Sequence, residues 1–447
     1  MKNVSSILFL YLLSHFASAK VINPKEYLLQ VEENFPKILS QNEKLNIAIG
    51  KSQKALGAFD STFKAKRKQY VDSYYSTQYS DVSVEKAFQP LNTKLAIGYR
   101  KGVGNIPVYD GEMATDRDGE FYASLSLSLL RYRSIDANRF GLWKARNEEK
   151  IAGYTRDFKR IDILVKGNNA YWKWYFYYYK KSLYEVLVKL SSERIKAIEK
   201  RVKRNDLAKI YLVEANQYLL SFRRELVDVS ARLRESVAKL KVYYPSASLD
   251  SKPIDETKNK IKKVVKYNIS NILERRPELE IYQLMVRNSN LDLSFAKQKL
   301  MPKLNLELQR YEARDEKSPY YDENKVGLSF EIPIERSLGK GAVAAARSKV
   351  RSLQFEQVLI KRELRASLEA LSARIDGDVQ AFNILKDEQK AAKTLQKAEW
   401  RKFKSGMSDI FVVNVRDVNF AKAKLKTLEK MMDYEQSSFI MSQWNSL

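Results

Sequence analysis

Ser337-Leu338-Gly339-Lys340 has the Ser-x-x-Lys spacing in which a lysine amine can activate a serine hydroxyl for acyl transfer. The Ser-Asp-Asn and Lys-Thr-Gly companions of that chemistry are missing, and the tetrapeptide lies where a strand pattern gives way to a helical one. It reads as a cap and a turn. Tyr171 to Tyr179 runs Tyr-Trp-Lys-Trp-Tyr-Phe-Tyr-Tyr-Tyr, which could stack bases beside lysines. The run falls inside a long helical pattern, so packing between helices is the stronger reading. The chain has no cysteine, and its one histidine, His15, lies in the first 20 residues. Without His or Cys the mature chain cannot build the usual zinc sites or a Ser-His-Asp triad. It also lacks a Gly-x-x-x-x-Gly-Lys-Ser/Thr loop for nucleotides. The expectation is no enzyme, no cofactor and no metal.

The N-terminus reads as a signal peptide, residues 1–19. Lys2 supplies a positive charge, Ile7 to Phe16 a short apolar core, and Ala17-Ser18-Ala19 a cleavage site. No later apolar run approaches the ~18 residues of a membrane-spanning helix. The mature protein is therefore expected in the periplasm, outside the cell, or in an outer membrane as a β-barrel. The net charge of +26 suggests an anionic partner or a solvated basic surface. The excess is spread along helices rather than gathered in one arm, and with export this argues against nucleic acid.

The elements repeat. From Ile135 and from Arg336 the two halves stay in step at an offset of 201 residues, the distance from Asn205 to Gly406. Each half holds a helical pattern of roughly 70 residues, about 105 Å at 1.5 Å per residue. Each long pattern ends in a turn, Asn205-Asp206 or Gly406-Met407, followed by a return helix. Residues 20–244 form the first repeat and 257–447 the second, joined by a linker at 245–256 that carries Pro245, Ser246, Ser248 and Pro253. Helices open both repeats, with Pro36 and Pro277 interrupting them at like places. The first carries the stripe Leu28, Val31, Phe35, Leu39, Leu45 and Ile49. The second long helix steps through Leu364, Leu368, Leu371, Ile375, Phe382 and Leu385, with Asp378 in an apolar slot, as a coiled coil would.

Four segments alternate with period two. Strands are expected at about 93–101, 119–130, 303–311 and 325–333. Leu95, Ile97 and Tyr99 share a face, as do Phe121, Leu125 and Leu127, and Val326, Leu328 and Phe330. The opposite parity is polar. The lengths suit strands crossing a bilayer at a tilt, and Tyr99, Tyr311, Tyr320 and Tyr321 at strand ends suit its interfaces. The intervening stretches, Gly102 to Gly119 and Ala313 to Glu323, read as exposed loops. Residues 59–90 have no counterpart in the second half and could add a hairpin.

These residues resemble the outer-membrane efflux protein family, the TolC-like exit ducts. Asn324-Lys325-Val326-Gly327-Leu328-Ser329-Phe330 with Pro333-Ile334 is similar to the family's descending strand and proline exit into helix. Arg276-Pro277-Glu278-Leu279 resembles its Asn-Pro-Glu-Leu. Ala170-Tyr171-Trp172, Asn205-Asp206-Leu207-Ala208 with Glu214-Ala215, and Phe403-Lys404-Ser405-Gly406 with Ala421-Lys422-Ala423 resemble other family motifs in order. The resemblance implies a mainly α fold with a membrane β-barrel part, in which a trimer closes both a coiled-coil α-barrel and a β-barrel. It further implies the outer membrane of a Gram-negative bacterium, a role in tripartite efflux or type I secretion, and passive conduction of cargo. The partners would be a homotrimer, outer-membrane lipid, a periplasmic adaptor and an inner-membrane RND or ABC transporter. The tips Asn205, Asp206, Gly406, Met407, Ser408 and Asp409 would meet the adaptor. Lys94, Arg100, Ser124, Ser126, Asn305, Glu307, Gln309, Lys325, Ser329 and Glu331 would face the lumen, and Pro333 would mark the strand-to-helix exit. The basic members of this set suggest a preference for anionic cargo. The family's acidic gate falls here on Val412 and Val415, so that ring is not carried over, and neither Arg416 nor Asp417 takes its place. The alternative is an exported periplasmic coiled-coil scaffold binding an anionic polymer.

Overall fold

The computed structural model describes residues 21–71, 74–105, 114–115, 118–254, 261, 267–313 and 321–446. The expected signal peptide, Tyr320, and parts of the linker and of both loops lie outside them. The described elements run β1 (Val21–Ile22), α1 (Pro24–Asn34), α2 (Pro36–Leu56), β2 (Thr62–Gln69), β3 (Gln78–Phe88), β4 (Thr93–Val103), β5 (Glu120–Ser128), α3 (Ala137–Lys203) and α4 (Lys209–Tyr243). They continue with β6 (Lys252–Pro253), α5 (Ile269–Glu274), α6 (Pro277–Gln298), β7 (Lys303–Ala313), β8 (Tyr321–Glu331), α7 (Ser337–Lys404) and α8 (Ile410–Asn445). The fold is mainly α. No helix among the described residues is long and apolar enough to cross a membrane.

Each proline breaks its helix where sterics require. Phe35, before Pro36, is extended at φ −71° and ψ 121°, which ends α1. Arg276 precedes Pro277 between α5 and α6. The stretch read as a linker contains β6, which pairs in parallel with β1. Ser337 and Lys340 stand exposed on the first turn of α7.

The chain divides into two compact units. One comprises Met1–Gln41, Asp157–Arg276 and Arg362–Leu447. Its core gathers Tyr27 and Val31 of α1, Tyr171, Trp174 and Tyr175 of α3, Leu233, Val237 and Leu240 of α4, Phe382 of α7, and Leu428 and Met431 of α8. The aromatic run therefore packs helices. The Tyr171 hydroxyl donates to the Ile22 carbonyl at 3.0 Å, and the Tyr27 hydroxyl donates to the Gly167 carbonyl at 3.0 Å. Burial pushes the Tyr27 phenol far above its ordinary value, with the nearby Tyr243 adding to the shift. The apolar stripe predicted on the first helices is buried only in part: Val31 is covered, whereas Leu39 and Ile49 are exposed. Asp378, noted in an apolar slot of α7, is buried and accepts from Lys430 Nζ of α8 at 3.0 Å. Hydrogen bonds to Asp378 and Asp433 raise the Lys430 amine.

The other unit comprises Asn42–Arg156 and Pro277–Lys361. It holds one six-stranded antiparallel sheet in the order β2-β3-β4-β5-β7-β8. The strands β4 and β7 run two residues past the expected span, and β8 starts four residues earlier and stops at Glu331, short of Pro333. The unrepeated segment at 59–90 supplies β2 and β3, paired in the same sheet.

Candidate functional site: paired helix tips and a two-faced sheet

Both helix tips close with one hydrogen-bond pattern. Asp206 N–H donates to the Arg201 carbonyl at 2.9 Å and Asn205 N–H to the Val202 carbonyl at 3.0 Å. Met407 N–H donates to the Lys402 carbonyl at 2.9 Å and Gly406 N–H to the Phe403 carbonyl at 3.2 Å. These six-to-one and five-to-two bonds define a Schellman motif, which needs a left-handed residue at its pivot. The pivots are Asn205 at φ 64° and Gly406 at φ 77°. The two residue types that adopt this region most readily occupy the two equivalent positions.

After the second turn, Asp409 caps α8 by accepting from Phe411 N–H at 3.0 Å. Ala208 offers α4 no side-chain cap. Ser408 Oγ donates to Glu399 at 2.5 Å, and Met407 is exposed. One apolar cluster joins the tips: Ile195, Ile198, Ala215, Leu219, Phe403, Ile410 and Val413, with Val202 and Leu207 against it. The cluster thus holds residues that flank both predicted tips. Burial and the charge of Asp409 push the Glu214 carboxyl up.

A polar knot lies behind the tips. Asp417 and Arg194 are both buried and form an ion pair. Gln396 Nε2 donates to Asp417 at 2.7 Å, and the Arg194 guanidinium lies 4.4 Å from the Trp400 ring centre. The knot ties α3, α7 and α8 together. Sequence reading missed it. Its trace was an acid between Val413 and Ala421, four residues away on each side, both on the buried face of α8.

The sheet has two chemically different faces. Its register places Lys94, Arg100, Ser124, Ser126, Asn305, Glu307, Gln309, Lys325, Ser329 and Glu331 on one face. On the other face, Phe121, Val326, Leu328 and Phe330 are each more than 60% exposed. Several basic residues of the polar face are paired. Arg100 pairs with Glu120, and Lys64 pairs with Glu85 at 2.5 Å. Arg100 also lies 4.5 Å from the Tyr311 ring centre. Lys66, Lys68, Lys94, Lys303 and Lys325 share that face with Asp81, Glu307, Glu323 and Glu331, so it carries both signs. Pro333 lies between the end of β8 and the start of α7.

Residues 268–438 match the model of the outer membrane efflux protein family. The matched residues lie inside the expected second repeat, 257–447. Over 94% of its length the chain has the fold of outer-membrane channels. It aligns with the Campylobacter jejuni CmeC outer membrane channel at 10% identity and TM-score 0.64, over 94% of this chain and 85% of that one. For the open state of the Neisseria gonorrhoeae MtrE outer membrane channel the identity is 11% and the TM-score 0.65, over 94% and 88%. For the Vibrio cholerae outer membrane protein VceC they are 12% and 0.62, over 94% and 95%. No curated protein matches the sequence. The matched residues contain α5, α6, β7, β8, α7 and most of α8, and so include the second tip.

Proposed function

We propose that this protein is the outer-membrane exit duct of a multi-part export system, passive and non-enzymatic, that works as a homotrimer. The observation that carries this reading is the exposed apolar face of a sheet whose opposite face is polar. Water penalises such a face, and a bilayer satisfies it. The helices support the same reading. Val213, Leu220 and Val227 follow one another every seven residues on α4 and are each more than 60% exposed. That is a coiled-coil seam without a partner in a single chain, and sister copies would cover it. The tips Asn205, Asp206 and Gly406 to Asp409 would dock a periplasmic adaptor, which would couple the duct to an RND or ABC transporter. Efflux and type I secretion both fit this geometry. The polar strand residues would line the lumen. Export by the signal peptide at 1–19 belongs to the same proposal, as does the division into two repeats.

Cell fractionation tests it. The expected result is a heat-modifiable oligomer in outer-membrane extracts, running as a trimer before boiling. A water-soluble monomer in the periplasmic fraction would refute the proposal. Cysteines placed at positions 205 and 407 of this cysteine-free chain should trap an adaptor on crosslinking.

A further inference from the structure

The hairpin β2–β3 has no equivalent in the second repeat, and three observations place it in the sheet wall. The apolar face continues across it through Val82, Val84 and Phe63, all exposed. The polar face continues through Asp81, Ser83, Glu85, Lys64 and Lys66, on the same parity as Arg100 and Ser124. The third is a bond that skips a strand. The Tyr122 hydroxyl of β5 donates to Asp81 Oδ1 of β3 at 3.2 Å. It passes over Gly98 of β4, where a Cβ would stand 2.7 Å from the Tyr122 ring.

The apolar band also slants. The register line through Val82, Tyr99 and Phe121 arrives at Glu312 of β7. The apolar residues of β7 and β8 lie further along, at Leu304 to Leu308 and Val326 to Phe330. The band therefore moves about one residue per strand. With a rise of roughly 3.3 Å and a strand spacing of roughly 4.8 Å, this is a tilt of about 35–40°, as in a closed barrel. The slant continues onto β3.

We propose that β2 and β3 belong to the barrel wall, and that β2 of one copy pairs with β8 of the next. Each copy then contributes six strands, and a trimer closes eighteen. The inference rests on the duct reading. The two edges of the sheet are β2 and β8, and lipid offers no partner for their backbone groups. Six strands alternate in direction, so β2 and a neighbouring β8 meet antiparallel. Their charges are complementary: β2 carries Lys64, Lys66, Arg67 and Lys68 and no acid, whereas β8 presents Glu323 and Glu331 beside Lys325. Continuing the slant across the seam brings Lys66 level with Gly327 or Ser329. Eighteen strands at this tilt give a backbone diameter of about 36 Å, against about 24 Å for a twelve-stranded wall without the hairpin.

Disulfide trapping in the full-length membrane-inserted protein tests the seam. Lys66→Cys combined with Gly327→Cys or Ser329→Cys should give covalent dimers and trimers on oxidation. Lys94→Cys with the same partners should give none, since β4 has neighbours on both sides. Crosslinks from position 94 and not from position 66 would overturn the six-stranded wall and leave the duct reading intact. So would a membrane oligomer that crosslinks from neither position. A soluble monomer would overturn both.

Discussion

At the residue scale, one backbone solution recurs at positions 205 and 406. A left-handed pivot is needed because the long helix must close its last carbonyls within two residues before reversing. Nothing lies within 4 Å of a Cβ at Gly406, so a substitution there meets backbone strain and no steric neighbour. Gly406→Val should cost about 1–2 kcal/mol in the unfolding midpoint, whereas Asn205→Gly should be nearly neutral. The Arg194–Asp417 pair obeys another rule. Removing one partner strands a buried charge, so Asp417→Ala should destabilise by about 3–5 kcal/mol. The double change Arg194→Met with Asp417→Leu should recover most of that loss in the same unfolding measurement. Glu214 carries a pH dependence. Its carboxyl titrates above the unfolded value, so the folded state holds the proton more tightly. Its contribution to stability is therefore fully present below the ordinary glutamate range and is lost as pH rises through the folded pKa. Glu214→Gln should raise the unfolding temperature at pH 7 and leave it unchanged near pH 3.

At the element scale, the sheet depends on a gap in one strand. Gly98 leaves room for Tyr122 to cross β4 and reach Asp81. Gly98→Val would put a branched side chain where the Tyr122 ring and the Val82 carbonyl already stand, 2.7 Å from a Cβ. The expected outcome is loss of the heat-modifiable oligomer on gels, while Tyr122→Phe keeps it. Both long helices are tied to α8 by ion pairs. Ion pairs between Lys430 and Asp378 and between Arg194 and Asp417 occupy slots that leucine would otherwise fill, and they fix which residues face each other.

At the scale of the whole molecule, the apolar face of the sheet and the seam of α4 both stand exposed in a single chain. Leu220→Glu should prevent trimers on unboiled gels while leaving the helical circular-dichroism signal in place. A protein that still trimerises would show that α4 is covered in some other way.

Much of this was legible in the sequence. Helices of nearly 70 residues, the four period-two strands and both tip turns follow from local pattern. Periodicity and glycine or asparagine at a pivot are properties of neighbours along the chain. Three things were decided only by tertiary structure. Asp417 and Arg194 lie 223 positions apart, so no local signal could pair them. Which charges of the polar face pair is decided across the register, where Glu120 is set against Arg100 and Glu85 against Lys64. The hairpin at 59–90 shows two weak strands in isolation, and its place beside β4 depends on backbone bonds, on Tyr122 and on a glycine between them. Sequence records which residues share a face of their own element. Which element that face meets depends on packing across the fold.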